Sequence, residues 1–197
     1  RLQRFDDAFT DRHSSGIADV RLFARVHLLD LAGGAVPVAV RAGAKAPIEE
    51  SPIDAEVIPV GEGQWDFEAW VESGVSLWPA PFYGVVWLGY RWRTENESTT
   101  RHPGNERLLL AEFGGTSLLG PLGAKVTLDG LWGENGSIQG VELGRDARRL
   151  VQLQPALTWQ LTESTALEAA VRVPLSGRNM PAGHQLVFAV FHQRPGG

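Results

Sequence analysis

The chain has no cysteine, one methionine, two tyrosines and no apolar run of membrane-helix length. Lacking cysteine, it has no disulfide, no thiolate nucleophile and no sulfur-ligated metal site. Such a chain also crosses an oxidising compartment without mispairing. Because no run approaches about 18 apolar residues, no segment qualifies as a membrane-spanning helix. Charge of one sign is scarce too: 18 Lys and Arg stand against 23 Asp and Glu, a net of −5. That mild acidity gives no footing for a phosphate-binding surface, and no nucleic-acid partner is expected.

What the sequence does have is alternation. Its 197 residues are the size of a single domain. Nine stretches alternate apolar and polar residues with period two, which sends successive side chains to opposite faces of a strand. Val20, Leu22, Ala24, Val26 and Leu28 oppose Arg21, Phe23, Arg25 and His27. Val36, Val38 and Val40 oppose Arg41 and Lys45, and Phe67, Ala69 and Val71 oppose Asp66, Glu68, Trp70 and Glu72. Val86, Leu88, Tyr90 and Trp92 oppose Trp87, Arg91 and Arg93. Leu109, Ala111 and Phe113 oppose Glu112, and Ala124, Val126 and Leu128 oppose Lys125, Thr127 and Asp129. Leu153, Leu157 and Trp159 oppose Gln152, Gln154 and Thr158, while Leu167, Ala169 and Val171 oppose Glu168 and Arg172. The last strand, 185–192, is apolar on both faces.

The connections alternate as well. Those at 31–35, 79–81, 119–123 and 162–164 are short; those at 46–64, 94–105, 133–148 and 176–183 are long. This rhythm predicts an all-β, antiparallel, up-and-down transmembrane barrel with tight periplasmic turns and long outer loops. The polar stretch 6–15 reads as a further outer loop, and 1–5 as the end of a preceding strand. Nine is odd and such barrels have an even strand count, so N-terminal strands are expected to be missing, giving about 10–12 in all. The start at Arg1, with no initiator Met or signal peptide, fits the same expectation.

Alternation alone leaves open whether the apolar face points inward, as in a soluble barrel or sandwich, or outward into lipid. Three considerations predict outward. Val, Ala and Leu are too small to fill the space nine or more strands enclose. The polar face carries both signs on neighbouring strands, whereas a lipid-facing Arg or Lys costs roughly 2–4 kcal/mol at mid-bilayer. Aromatics collect near strand ends, with Trp65, Phe67, Tyr90, Trp92 and Trp132 at one edge and Trp78, Phe82, Tyr83 and Trp159 nearer the other. Two such groups are what interfacial girdles require.

The polar face is the one site-like feature. Arg21, Arg25, His27, Arg41, Lys45, Asp66, Glu68, Trp70, Glu72, Trp87, Arg91, Glu112, Asp129, Glu168 and Arg172 are expected to line a lumen or substrate path. There, charge selects and aromatics stack on a ligand. The other reading is a filled lumen closed by ion pairs. No catalytic set emerges: His13 beside Ser14 and Ser15 has no positioned partner. Five scattered histidines give no zinc spacing, and the acidic loop of Glu49, Glu50, Asp54 and Glu56 lacks the glycine punctuation of a calcium loop. Gly61-Glu62-Gly63 runs into a strand, where a nucleotide site needs a helix. Neither enzyme activity nor a cofactor is expected.

Several segments carry a family resemblance. They are Ser15-Gly16-Ile17-Ala18-Asp19-Val20-Arg21, Arg41-Ala42-Gly43-Ala44-Lys45-Ala46-Pro47, Val60-Gly61-Glu62-Gly63-Gln64-Trp65-Asp66 and the stretch from Pro174 to Gly183. In these the chain resembles the outer-membrane β-barrel family linked to a meta-pathway of phenol degradation. The resemblance implies a barrel passing small, often hydrophobic molecules, with lipid, lipopolysaccharide and the barrel-assembly machinery as partners. Such barrels usually finish on an aromatic residue; here Phe188 and Phe191 precede a short polar tail. The alternatives are a non-conducting barrel serving as an anchor or subunit of a larger assembly, and a soluble ligand-binding barrel.

Overall fold

The computed structural model describes residues 2–6, 11–15, 19–47 and 62–193; the acidic loop of Glu49 to Glu56 and the tail after Gln193 lie outside them. Strands β1 (Leu2–Asp6) and β2 (Asp11–Ser15) form a hairpin of their own. Then follow β3 (Val20–Leu31), β4 (Val36–Ala46), β5 (Asp66–Ser76), β6 (Phe82–Arg93), β7 (Arg101–His102) and β8 (Glu106–Leu119). The chain continues with β9 (Leu122–Gly133), β10 (Ser137–Ile138), β11 (Val141–Glu142), β12 (Arg149–Thr162), β13 (Thr165–Arg178) and β14 (Gln185–His192).

Nine of these form one antiparallel sheet in chain order: β3, β4, β5, β6, β8, β9, β12, β13, β14. Every long strand after β3 hydrogen-bonds the long strand before it, which is the up-and-down arrangement that the loop rhythm predicts. Among the described residues β3 and β14 are the two edges and do not pair with each other. The tiny strands β7, β10 and β11 make a separate sheet inside the long connections. The β8–β9 turn is only two residues, and Gly120 supplies its positive φ of 62°. Pro155 sits mid-strand in β12, where pairing with β13 lapses between Leu153↔Val173 and Ala156↔Ala170, because proline has no N–H to donate.

One expectation needs correction. Residues 6–15 are not a single loop: β2 occupies the second half and pairs with β1 from Asp6↔Asp11 to Leu2↔Ser15. The β2 sequence, Asp11-Arg12-His13-Ser14-Ser15, has no apolar alternation to announce a strand, so it reads as a loop.

Burial is inverted relative to a water-soluble domain. Among the described residues, the buried hydrophobics are Ala39, Leu108, Ala156 and Ala170. The most buried side chains are charged or polar, with Asp66 and Glu106 at 0% exposure. Meanwhile Leu22 is 73% and Phe188 77% exposed, and Val26, Leu88, Val71 and Leu157 face outward with them. A soluble fold gains its stability by the opposite arrangement. The outward face carries its aromatics toward the strand ends: Trp65 stacks on Phe67 and Tyr90 meets Trp92 edge-on at the long-loop end, while Phe82 stacks on Phe113 at the other. Tyr83 does not belong to that outer group. Being next to Phe82 it takes the opposite face, where its hydroxyl donates to Glu112 at 2.8 Å.

Leu88 lies mid-strand on the outward face. Replacing it with Arg is expected to cost about 2–4 kcal/mol in a bilayer, against within about 0.5 kcal/mol for an exposed position in a soluble protein. Urea titration of the folded fraction in lipid vesicles measures the difference.

Candidate functional site

Strand β5 contributes Asp66, Glu68, Trp70 and Glu72, every second residue, to the buried face. Cations meet these carboxylates from both sides. From β3, Arg21 reaches Glu68 at 2.8 Å and Arg25 reaches Glu72 at 2.7 Å, each passing over β4. From β4, Arg41 binds the other oxygen of Glu72 at 2.6 Å. Lys45 is held by three carboxylates, Asp19, Glu62 and Asp66, at 2.8–3.0 Å. On the far side, Arg91 bridges Glu68 at 2.7 Å and Glu106 at 2.5 Å. Arg93 bridges Glu62, Asp66 and Glu106, and Arg148 bridges Glu62 and Glu106.

Ten side chains thus form one connected cluster at the long-loop end, in which five carboxylates and five cations cancel. Each lone buried ion would carry a desolvation cost of several kcal/mol; mutual pairing is what makes the face tenable. The geometry also reports curvature. Glu62 precedes β5 and Arg148 precedes β12, four inter-strand steps away, roughly 19 Å in a flat sheet. They meet at 3.4 Å. The charged face is therefore concave at that end.

Loops tie the rim together. Asn96 donates to the carbonyl of Glu62 at 3.0 Å and accepts from Ser98 and Thr99. Arg101 pairs with Asp146, and Asn179 donates to the carbonyls of Arg145 and Ala147. Glu62 is the loop residue nearest the charge. Burial opposes its ionised form, but Arg93, Lys45 and Arg148 outweigh that and hold its carboxyl far below the usual carboxylate range.

A second device is steric. Three aromatic rings lie on the glycine directly opposite on the next strand: Phe23 on Gly43, Trp70 on Gly89 and Tyr83 on Gly114. A Cβ on Gly89 would come within 2.5 Å of the Trp70 ring, so the glycine is what lets the indole lie flat. Trp70 is further fixed by donating to Glu68 at 3.1 Å. The Arg41 guanidinium then sits 4.9–5.2 Å from the rings of Phe23, Trp70 and Trp87, close enough for cation–π attraction.

Of the residues expected on this face, Arg21, Arg25, Arg41, Lys45, Asp66, Glu68, Trp70, Glu72, Trp87 and Arg91 come together as described. Glu112, Glu168 and Arg172 form a separate patch on β8–β13: Lys125 joins Glu112 and Glu168, Thr127 donates to Glu112, and Arg172 donates to Gln154. Asp129 lies in register between Leu110 and Gln152. His27 stands apart, paired to Asp30 at 3.3 Å and half exposed. Sequence reasoning missed Arg93, Glu106, Lys125 and Thr127 as site residues, although each shares strand parity with one it chose. It also missed Asp19, Glu62, Gln64 and Arg148. These lie in connections, where period two gives no signal.

Glu106 is fully buried and serves Arg91, Arg93 and Arg148 at once. Its replacement by Gln is expected to destabilise the protein by about 3–5 kcal/mol, as for one partner removed from a buried pair, read from the urea midpoint of the heat-modifiable band. Glu62→Gln should change the pH dependence instead. A carboxyl depressed in the fold stabilises above its unfolded value of about 4.5 and loses that contribution as pH falls below it. The wild type should therefore weaken on acidification below that point more steeply than the variant.

Comparison with known proteins bears on the fold and the family. The sheet superposes on an outer membrane channel from Pseudomonas putida F1 with a TM-score of 0.68 at 16% sequence identity. The match covers 90% of this chain and 66% of that one, so the chain spans just under two thirds of the channel's length. That likeness identifies the nine strands as the wall of an outer-membrane-type β-barrel fold. No curated protein matches. The family described as "Putative MetA-pathway of phenol degradation" matches residues 3–190, nearly the whole chain, and this protein belongs to it.

Proposed function

We propose that this chain is the greater part of a bacterial outer-membrane β-barrel that lets small molecules cross passively, with the charged face lining its lumen. The observation that carries the reading is the inverted burial. Asp66, Glu106, Lys45 and Glu72 are nearly or fully shielded, while leucines, valines and phenylalanines are presented outward. A surrounding hydrocarbon phase stabilises such an arrangement, which supports the reading. Family membership and the channel-like fold support it. The unpaired edges of β3 and β14, with the coverage of 66% of the related channel, support further strands completing a barrel of about 10–12. Lipid and lipopolysaccharide are the partners of the outward face in this reading.

A second reading has a specific observation in its favour. The self-cancelling cluster at the long-loop end fills space as much as it lines it, as a non-conducting structural barrel would require.

Conductance separates the two. Full-length protein folded into planar bilayers is expected to give discrete small-conductance events, and proteoliposomes should take up small solutes. A protein that shifts on a gel upon boiling, and so is folded, yet shows neither events nor uptake would overturn the transport reading in favour of the structural one.

A further inference from the structure

The outward face of the nine-stranded sheet differs between its two ends. Among the described residues, the cations on that face are Arg107 of β8, Arg149 of β12 and Arg178 of β13. All three stand at the long-loop end and in one cross-strand row. Arg107 is in register with Trp132, Trp132 with Arg149, and Arg149 with Arg178. On its other side Arg107 is opposite Tyr90. The face follows from strand parity, since Glu106 and Arg148, each adjacent in sequence to one of the three, point into the buried cluster and pair there. At the short-turn end the same face carries Phe82, Phe113, Leu122 and Trp159 and, among the described residues, neither Lys nor Arg.

Arg149 and Arg178 are like charges directly opposite each other, an unfavourable pair unless an anion joins them. Among the described residues neither guanidinium has an ion-pair or hydrogen-bond partner. The Arg107 side chain is 72% exposed, and its one carboxylate is Glu134 at 3.7 Å, which also accepts from the Tyr90 hydroxyl. The other carboxylates between β9 and β12 are engaged elsewhere: Asp146 pairs with Arg101, and Glu142 accepts from Asn135. Glu95 and Glu97, between β6 and β8, pair with none of the three, and the connection 179–184 contains no carboxylate. A missing neighbour does not account for this exposure. Both β8 and β12 are paired on each side, and strands completing the wall would leave its outer surface uncovered. Between the cations, the Trp132 ring lies over Gly130, where a Cβ would collide with it. The indole thus covers the wall on the midplane side of the row, leaving the guanidiniums at its upper edge.

We infer that this row is a docking site for the phosphates of lipopolysaccharide, with Arg149 and Arg178 as its centre. The inference rests on the outward face meeting lipid and adds to that reading a place and a chemistry. Guanidinium forks match phosphate oxygens two at a time, and cations with aromatics are the side chains suited to headgroup level. The long-loop end lies in the outer leaflet, whose anionic lipid is lipopolysaccharide. From Arg107 to Arg178 the row covers three strand steps, about 14 Å. That is wider than the single phosphate of a glycerophospholipid can serve, and it suits a disaccharide carrying a phosphate at either end. Glu134 already offsets part of the charge on Arg107, so the two unpaired arginines carry the larger share.

The test uses the full protein folded in detergent, with lipid A, lipid A stripped of its phosphates by a phosphatase, and phosphatidylglycerol as probes. Titration against immobilised protein should show lipid A binding at least tenfold more tightly than either of the other two. Arg149→Gln combined with Arg178→Gln should weaken lipid A at least tenfold, Arg107→Gln alone by less, and lysine at 149 and 178 should restore part of the loss. Arg101→Gln, in the loops and off the row, should leave lipid A binding unchanged. A gel showing unchanged heat-modifiability establishes that each variant is folded, and the comparison of lipids on the unaltered protein needs no variant at all. Equal affinity for lipid A with and without phosphates, phosphatidylglycerol binding as tight as lipid A, or an undiminished affinity in the double variant would overturn the inference. Insertion into vesicles keeps the two claims apart. Protein that inserts and shifts on boiling, yet ignores the phosphates, loses the docking site and keeps the membrane barrel, whereas protein that neither inserts nor shifts loses the membrane reading itself.

Discussion

Everything in this protein depends on buried carboxylates being neutralised across neighbouring strands. Asp66, Glu68, Glu72 and Glu106 are almost wholly shielded, and each is met by at least one guanidinium or ammonium group within hydrogen-bonding reach. An outward-facing apolar surface forces this solution. With most leucine, valine and phenylalanine given to the exterior, the inside of the curve carries the charged side chains, and they must satisfy one another. The pairing in turn selects curvature, because cations on β3 and before β12 reach carboxylates two or more strands away only when the sheet bends toward them.

The ion pairs do not work alone. Laying Phe23, Trp70 and Tyr83 over the glycines opposite them fills the space beside each glycine. Phe23 and Trp70, with Trp87, then hold Arg41, whose guanidinium would otherwise face Arg25 across the β3–β4 ladder. Steric and electrostatic devices thus converge on the same few residues of β3, β4, β5 and β6. The patch around Lys125, Glu112 and Glu168 repeats the charge logic on the other half of the sheet, with Tyr83 and Thr127 supplying neutral donors to Glu112.

The two ends of the charged face differ. At the long-loop end the ions cancel and the connections are stitched to one another through Asn96, Arg101 and Asn179. Farther along β3–β5 the Arg25–Glu72–Arg41 group borders a cavity.

Period two by itself determined most of the fold. Alternation in β3 through β13 assigned each strand's faces, and the run of short and long connections set their order. Arg41, Glu72 and Trp87 were legible as members of the polar face because each occupies a regular strand position. The sequence could not show that Arg93 and Glu106 are as central as Arg91, since strand boundaries blur where a loop begins. It gave no sign of Glu62 or Arg148, because loop residues have no periodicity to fix their direction. Nor did it announce β2, whose residues are all polar. Which charges touch and which ring lies on which glycine were decided only in three dimensions. A side chain's face follows from its place in the strand, but its neighbours follow from register and curvature, which sum contributions from the whole sheet.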